Sequence, residues 1–115
     1  MPLLSVYTSK PAPLNADSFL KSLSALLAHE LGKPESYVMT ALHAETPMTF
    51  AGTTAPACFA SIKSIGTFTP ADTHRLSALL CSALSRGLDI PTSRIYLEFS
   101  NPPGHLWGFD GETFG

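Results

Sequence analysis

The strongest constraint on the fold is that the chain carries the same pattern twice. A strand-like run, Pro2-Leu3-Leu4-Ser5-Val6-Tyr7, leads into a helical stretch closed by Gly32 and Pro34, and Ser36 then precedes a run opening Tyr37-Val38. Later, the extended stretch 57–63 leads into a second helical stretch closed by Gly87 and Pro91, and Ser93 precedes Arg94-Ile95. Strand, helix, strand, repeated, is a pair of βαβ units. Right-handed crossovers place both helices on one face of one sheet. The expected class is therefore α+β: two βαβ repeats forming one mixed sheet, in a single domain over residues 1–115.

The helices are well signalled. The first starts near Asn15 or Asp17, either of which can accept a hydrogen bond from a free first-turn N–H. Phe19, Leu20, Leu23, Leu26, Leu27 and Leu31 then recur at helical spacing. In the second, Thr69 is a natural N-cap, Pro70 suits the first helical position and Asp72 supplies a capping-box carboxylate. Leu76, Leu79, Leu80, Ala83 and Leu84 form its apolar stripe. Strands are expected over 37–43, 57–63 and 94–99, a short edge strand over 48–50, and a short extended tail carrying Trp107, Phe109 and Phe114.

Two helices on one face leave the other face of the sheet uncovered, and here composition matters. Charged residues are 14% of the chain and apolar residues 44%, whereas an ordinary soluble domain carries about a quarter charged residues. With no third helix in the pattern, other subunits are the simplest cover. The formal charge of -2 and the lack of a basic cluster argue against nucleic acid as a partner. No apolar run approaches the length of a membrane span. The chain does not open with a basic segment followed by an apolar one, so the expectation is cytoplasmic synthesis; secretion without a signal peptide would leave no mark. Cys58 and Cys81 are too few for a disulfide framework and make no C-x-x-C pair, so both read as free thiols. His29, His43, His74 and His105 lack metal-ligand spacing, so neither a metal nor another cofactor is expected.

Pro2 is the residue with unusual chemistry. Removal of Met1 would turn it into a secondary amine, the only backbone nitrogen here able to act as a base. Proline is also common at this position for reasons of processing and turnover. The strand-like continuation nevertheless puts the amine at the end of a packed sheet instead of on a frayed tail.

Met1-Pro2-Leu3, Gly32-Lys33-Pro34 with Tyr37, Pro47-Met48-Thr49-Phe50 with Gly52, Ser64-Ile65-Gly66, Arg94-Ile95-Tyr96 and Thr113-Phe114 stand in this order along the chain. Taken together, the sequence resembles the macrophage migration inhibitory factor (MIF) family, which includes D-dopachrome tautomerase. The resemblance implies a trimeric, MIF-like tautomerase fold with active sites between subunits. It further implies keto-enol tautomerase activity of the phenylpyruvate or dopachrome type, on a small enolisable carbonyl substrate such as a keto acid. Carried over residue by residue, Pro2 would be the general base, Lys33 would hold the substrate carboxylate and the Ile65 N–H would donate to it. Tyr96 would come from a neighbouring subunit, and Tyr37, Trp107, Phe109 and Phe114 would form apolar walls. The family supports a second function, a secreted cytokine-like or host-modulating ligand with a vestigial pocket and a receptor protein as partner.

The sequence departs from the animal cytokines of this family in two respects. Ala57 and Ala60 replace their C-x-x-C cysteines, so thiol oxidoreductase activity is not expected. Glu98 stands where asparagine is frequent, and a carboxylate there would favour a protonated Pro2 and repel an anionic substrate. Each pocket residue also has an ordinary structural reading. Lys33 can offset a helix dipole, Tyr37 and Tyr96 can be core or interface residues, Trp107 can be a packing anchor, and Glu98 can be solvated.

Overall fold

The computed structural model describes residues 1–115. Strand β1 (Leu3–Thr8) crosses over through helix α1 (Ala16–Leu31) to β2 (Met39–His43), and β3 (Cys58–Lys63) crosses through α2 (Pro70–Leu88) to β4 (Ile95–Ser100). A small hairpin, β5 (Gly108–Phe109) with β6 (Glu112–Thr113), closes the chain. The main sheet has the order β2-β1-β3-β4. Each βαβ unit pairs its own strands in parallel, and the units meet antiparallel at β1 and β3. Both expected repeats are present.

Alternation along the central strands assigns the two faces. Leu4, Val6 and Thr8 of β1 and Cys58, Ala60 and Ile62 of β3 are buried, while the residues between them are less covered. The buried set forms one core with Leu23 and Leu27 of α1 and Leu76, Leu80, Leu84 and Leu88 of α2. Both helices therefore pack on the same face. On the other face, rows set by the register run Met39–Leu3–Lys63–Ser100, Ala41–Ser5–Ser61–Glu98 and His43–Tyr7–Phe59–Tyr96. No helix of the molecule is long and apolar enough to cross a membrane.

Caps explain where the helices begin. The Asn15 side chain accepts from the Ser18 N–H at 3.2 Å. At α2 the box is reciprocal: the Asp72 N–H donates to Thr69 Oγ1 at 3.1 Å and the Thr69 N–H donates to Asp72 Oδ2 at 3.0 Å. Gly32 adopts φ 62 and ends α1, with its N–H donated to the His29 carbonyl and that of Lys33 to the Ala28 carbonyl.

Several boundaries differ from the expected ones. Gly87 does not end α2; the helix runs through it to Leu88, and Asp89, at φ 56, is the left-handed cap. The reason for glycine is packing, because a Cβ at Gly87 would strike the ring of Phe19 on α1. Tyr37 and Arg94 do not open strands. Each ends a short 3-10 turn behind a proline, over Glu35–Tyr37 and Thr92–Arg94. Residues 48–50 form no edge strand: Phe50 only bridges Thr53 across a tight turn whose central residues, Ala51 and Gly52, have φ of 53 and 74. Arg94 fastens this loop, donating to the carbonyls of Pro56 at 2.8 Å, Ala55 at 2.9 Å and Phe50 at 3.2 Å.

Candidate active site

The start of the chain is pinned to the sheet. The Pro2 carbonyl accepts from the Met39 N–H at 3.0 Å, extending the parallel ladder of β1 and β2 by one bond. The Pro2 side chain is fully buried. It lies at a cavity of about 330 Å³ that is also lined by Tyr37, Trp107, Phe109 and Phe114.

The aromatic wall is built by local chemistry at two places. The 3-10 turn after Pro34 projects Tyr37, and the β5–β6 hairpin projects Phe109. That hairpin turns through Asp110 and Gly111, both at positive φ, the arrangement that Asp-Gly favours in two-residue hairpins. Phe114 is held by its own N–H, which reaches the carbonyls of Gly104 and Trp107, both at 3.2 Å. The approach at Gly104 leaves no room for a side chain, since a Cβ there would lie 2.7 Å from the Phe114 carbonyl oxygen. Phe109 and Phe114 stack with centroids 5.7 Å apart, and Tyr37 meets Phe114 edge-on at 6.1 Å.

Lys33 and Ile65 line a second cleft, of about 230 Å³, with Glu30, Asp72 and Arg75. The loop after β3 is anchored where the Ser64 N–H donates to the Ser100 carbonyl at 3.1 Å. Gly66 follows at φ 120, and a Cβ there would lie 4.0 Å from Lys33 Nζ. The charge of Lys33 is felt at the start of the chain. The amine at Met1 is held below its ordinary value, first by burial and then by the positive charge of Lys33.

Tyr96 and Glu98 lie elsewhere. The register sets Tyr96 level with Phe59 and Tyr7, at the far end of β1 from Pro2. It is 66% exposed and packs against Phe50 with centroids 4.8 Å apart. Glu98 is level with Ser61 and Ser5 on the uncovered face and is exposed. One protomer thus gathers Pro2, Tyr37, Trp107, Phe109 and Phe114 in one cavity and Lys33 with Ile65 in another. It does not bring Tyr96 or Glu98 to them.

Sequence reasoning missed Ser36, Val38 and Met39, which complete the cavity, and Glu30, Asp72 and Arg75 in the cleft. The three-residue spacing of Asp72 and Arg75 on a helix was a readable ion-pair signal, whereas the pairing of Arg75 with Glu30 crosses between helices. The cysteines are both free, and burial, with Cys81 as a smaller cause, pushes the Cys58 thiol up to about 12.

Comparisons with known proteins agree with this architecture. The family model for macrophage migration inhibitory factor (MIF) matches residues 1–115. A MIF homolog of Trichuris trichiura is 40% identical over 99% of this chain and 100% of its own. MIF of Rattus norvegicus is 34% identical over 99% of each chain. The crystal structure of a MIF homologue from Prochlorococcus marinus superposes with a TM-score of 0.95 at 46% identity, over 98% of this chain and 99% of that one. In sequence along its whole length, and in fold, the chain belongs to the macrophage migration inhibitory factor family.

Proposed function

We propose that the chain is a cofactor-independent tautomerase acting on small enolisable carbonyl compounds of the phenylpyruvate or dopachrome type, such as keto acids. The general base is the amine of Pro2, freed by removal of Met1. The observation that carries this reading is the position of Pro2, fully buried just before β1 at an aromatic cavity and within reach of the Lys33 charge. Moving a proton between carbon and oxygen of an α-keto acid needs a base whose conjugate acid titrates near neutrality. An α-amine ordinarily titrates at about 7.7–8.0. The burial and the Lys33 charge that lower the amine at Met1 would act on Pro2 as well, leaving more of it neutral at pH 7.

In this mechanism Pro2 takes the proton from the carbon beside the ketone and returns it at the enol. Lys33 and the Ile65 N–H hold the substrate carboxylate, while the rings of Tyr37, Trp107, Phe109 and Phe114 shield the reacting carbon from water. The working unit is a homotrimer in which a neighbouring chain brings Tyr96 and Glu98 to the site. The exposed apolar residues of the open sheet face, Met39 and Tyr96 among them, support such cover.

The decisive experiment measures phenylpyruvate tautomerisation by protein whose intact mass shows Met1 removed. An alanine inserted between Met1 and Pro2 is expected to abolish nearly all activity while circular dichroism and light scattering remain those of a folded trimer. Equal turnover by chains that retain Met1 would rule out the amine as base. A stable monomer at micromolar concentration would rule out the shared site.

A further inference from the structure

We propose that Arg75 is a positioning residue for anion binding: by holding Glu30 it keeps Lys33 unpaired and open to the substrate. The inference rests on the anion-binding role of Lys33 proposed above. The cleft contains two cations, Lys33 and Arg75, and two carboxylates, Glu30 and Asp72. Its charges balance, so their pairing decides what a substrate meets.

All the ion pairs in the cleft converge on Arg75 or Glu30. Arg75 Nε lies 3.2 Å from Glu30 Oε1 and its Nη1 lies 3.4 Å from Asp72 Oδ1. Glu30 Oε2 faces His29 Nε2 at 3.7 Å. Lys33 has no carboxylate within 4.0 Å. A planar guanidinium can serve two carboxylates at once, which a lysine ammonium does poorly. Asp72 is further committed to the Thr69 N–H, and this bond with Arg75 holds its carboxyl below the ordinary range.

Glu30 is the competitor that matters. It stands three residues before Lys33 at the end of α1, its side chain is only 18% exposed, and it lines the same cleft. A carboxylate tethered so close is present at high effective concentration and would compete with the carboxylate of any keto acid. The bond to Arg75, which crosses from α2 to α1, occupies it.

The test is a double-mutant cycle on processed trimer, with phenylpyruvate and its methyl ester as paired probes. Arg75→Gln is expected to raise KM for phenylpyruvate about 3- to 10-fold, the size expected for a partly shielded ion pair. It should leave kcat within about twofold and the ester KM unchanged. In a Glu30→Gln background the same substitution should change KM by less than about twofold, because the competitor is gone. Arg75→Lys should recover part of the loss. Equal KM effects of Arg75→Gln in both backgrounds would make Arg75 only a distant charge and overturn the proposal, as would equal losses on acid and ester. Lys33→Ala is run alongside. If it leaves the preference for acid over ester untouched, the role of Lys33 itself fails and there is nothing for Arg75 to protect. If it abolishes that preference while Arg75→Gln does nothing, only the present inference fails.

Discussion

The ring of Tyr37 meets the ring of Phe109 edge-on, with centroids 5.4 Å apart and planes at 71°. The contact joins the turn that leads into β2 to the hairpin near the end of the chain, so it closes the wall of the Pro2 cavity. Aromatic pairs of this kind contribute about 0.5–1.5 kcal/mol beyond area burial. Phe109→Ala removes this pair, the stack on Phe114 and the ring's buried area, and should lower stability in urea by more than that single term. It should also raise KM several-fold for phenylpyruvate and much less for a short aliphatic keto acid. Equal effects on both substrates would mean that the ring supports the hairpin and does not touch substrate.

Lys33 gives a test with a sign. Its charge lowers the amine at Met1 and in the processed chain would act on that of Pro2 in the same sense. A base works in its neutral form, so kcat/KM should rise with pH as Pro2 loses its proton. Lys33→Ala removes the second of the two causes and should move the acid limb to higher pH, while raising KM for carboxylate substrates. The pH–rate profile of free enzyme with the methyl ester isolates the first effect from the second. A limb that stays in place would separate Lys33 from the base.

Glu98 should act in the opposite sense. In the proposed trimer its carboxylate approaches a neighbour's Pro2 and favours the protonated amine. Glu98→Asn should therefore lower the apparent pKa of the base and improve turnover of anionic keto acids. An unchanged profile would leave Glu98 in solvent on the sheet face.

Gly87→Ala separates propensity from packing. In an open helix the change would stabilise by about 1 kcal/mol. Against Phe19 it should instead destabilise by about 1–3 kcal/mol, the usual cost of overpacking. Pairing it with Phe19→Leu should recover much of the loss. Thermal unfolding of the two single variants and the double variant decides between these.

The same glycine shows what the sequence could not disclose. Glycine late in a helical pattern reads as a stop because its backbone is permissive, yet its purpose here is room for a ring on another helix. The true stop, Asp89, carries no glycine signal. Turns behind Pro34 and Pro91 likewise took Tyr37 and Arg94 out of strands that their side chains suit. The repeats and the caps at Asn15 and Thr69 were legible because they depend on near neighbours. Within the site, Pro2 was legible through its chemistry and the remaining residues only through family resemblance. The tie of Arg75 to Glu30 was not legible, because the two stand on different helices and only the fold joins them.

The register that sets Pro2 and Tyr96 at opposite ends of the sheet has a genetic consequence in the proposed trimer. Each chain would lend one end to its neighbour and borrow the other, so two damaged alleles could repair one another. A chain with Pro2 blocked and a chain with Tyr96 replaced, each inactive alone, would rebuild about a quarter of the sites when mixed at random around a three-fold ring. A chain damaged at one end spoils only its share of the sites, whereas a chain damaged at both, mixed equally with intact chains, would spoil about three quarters of them.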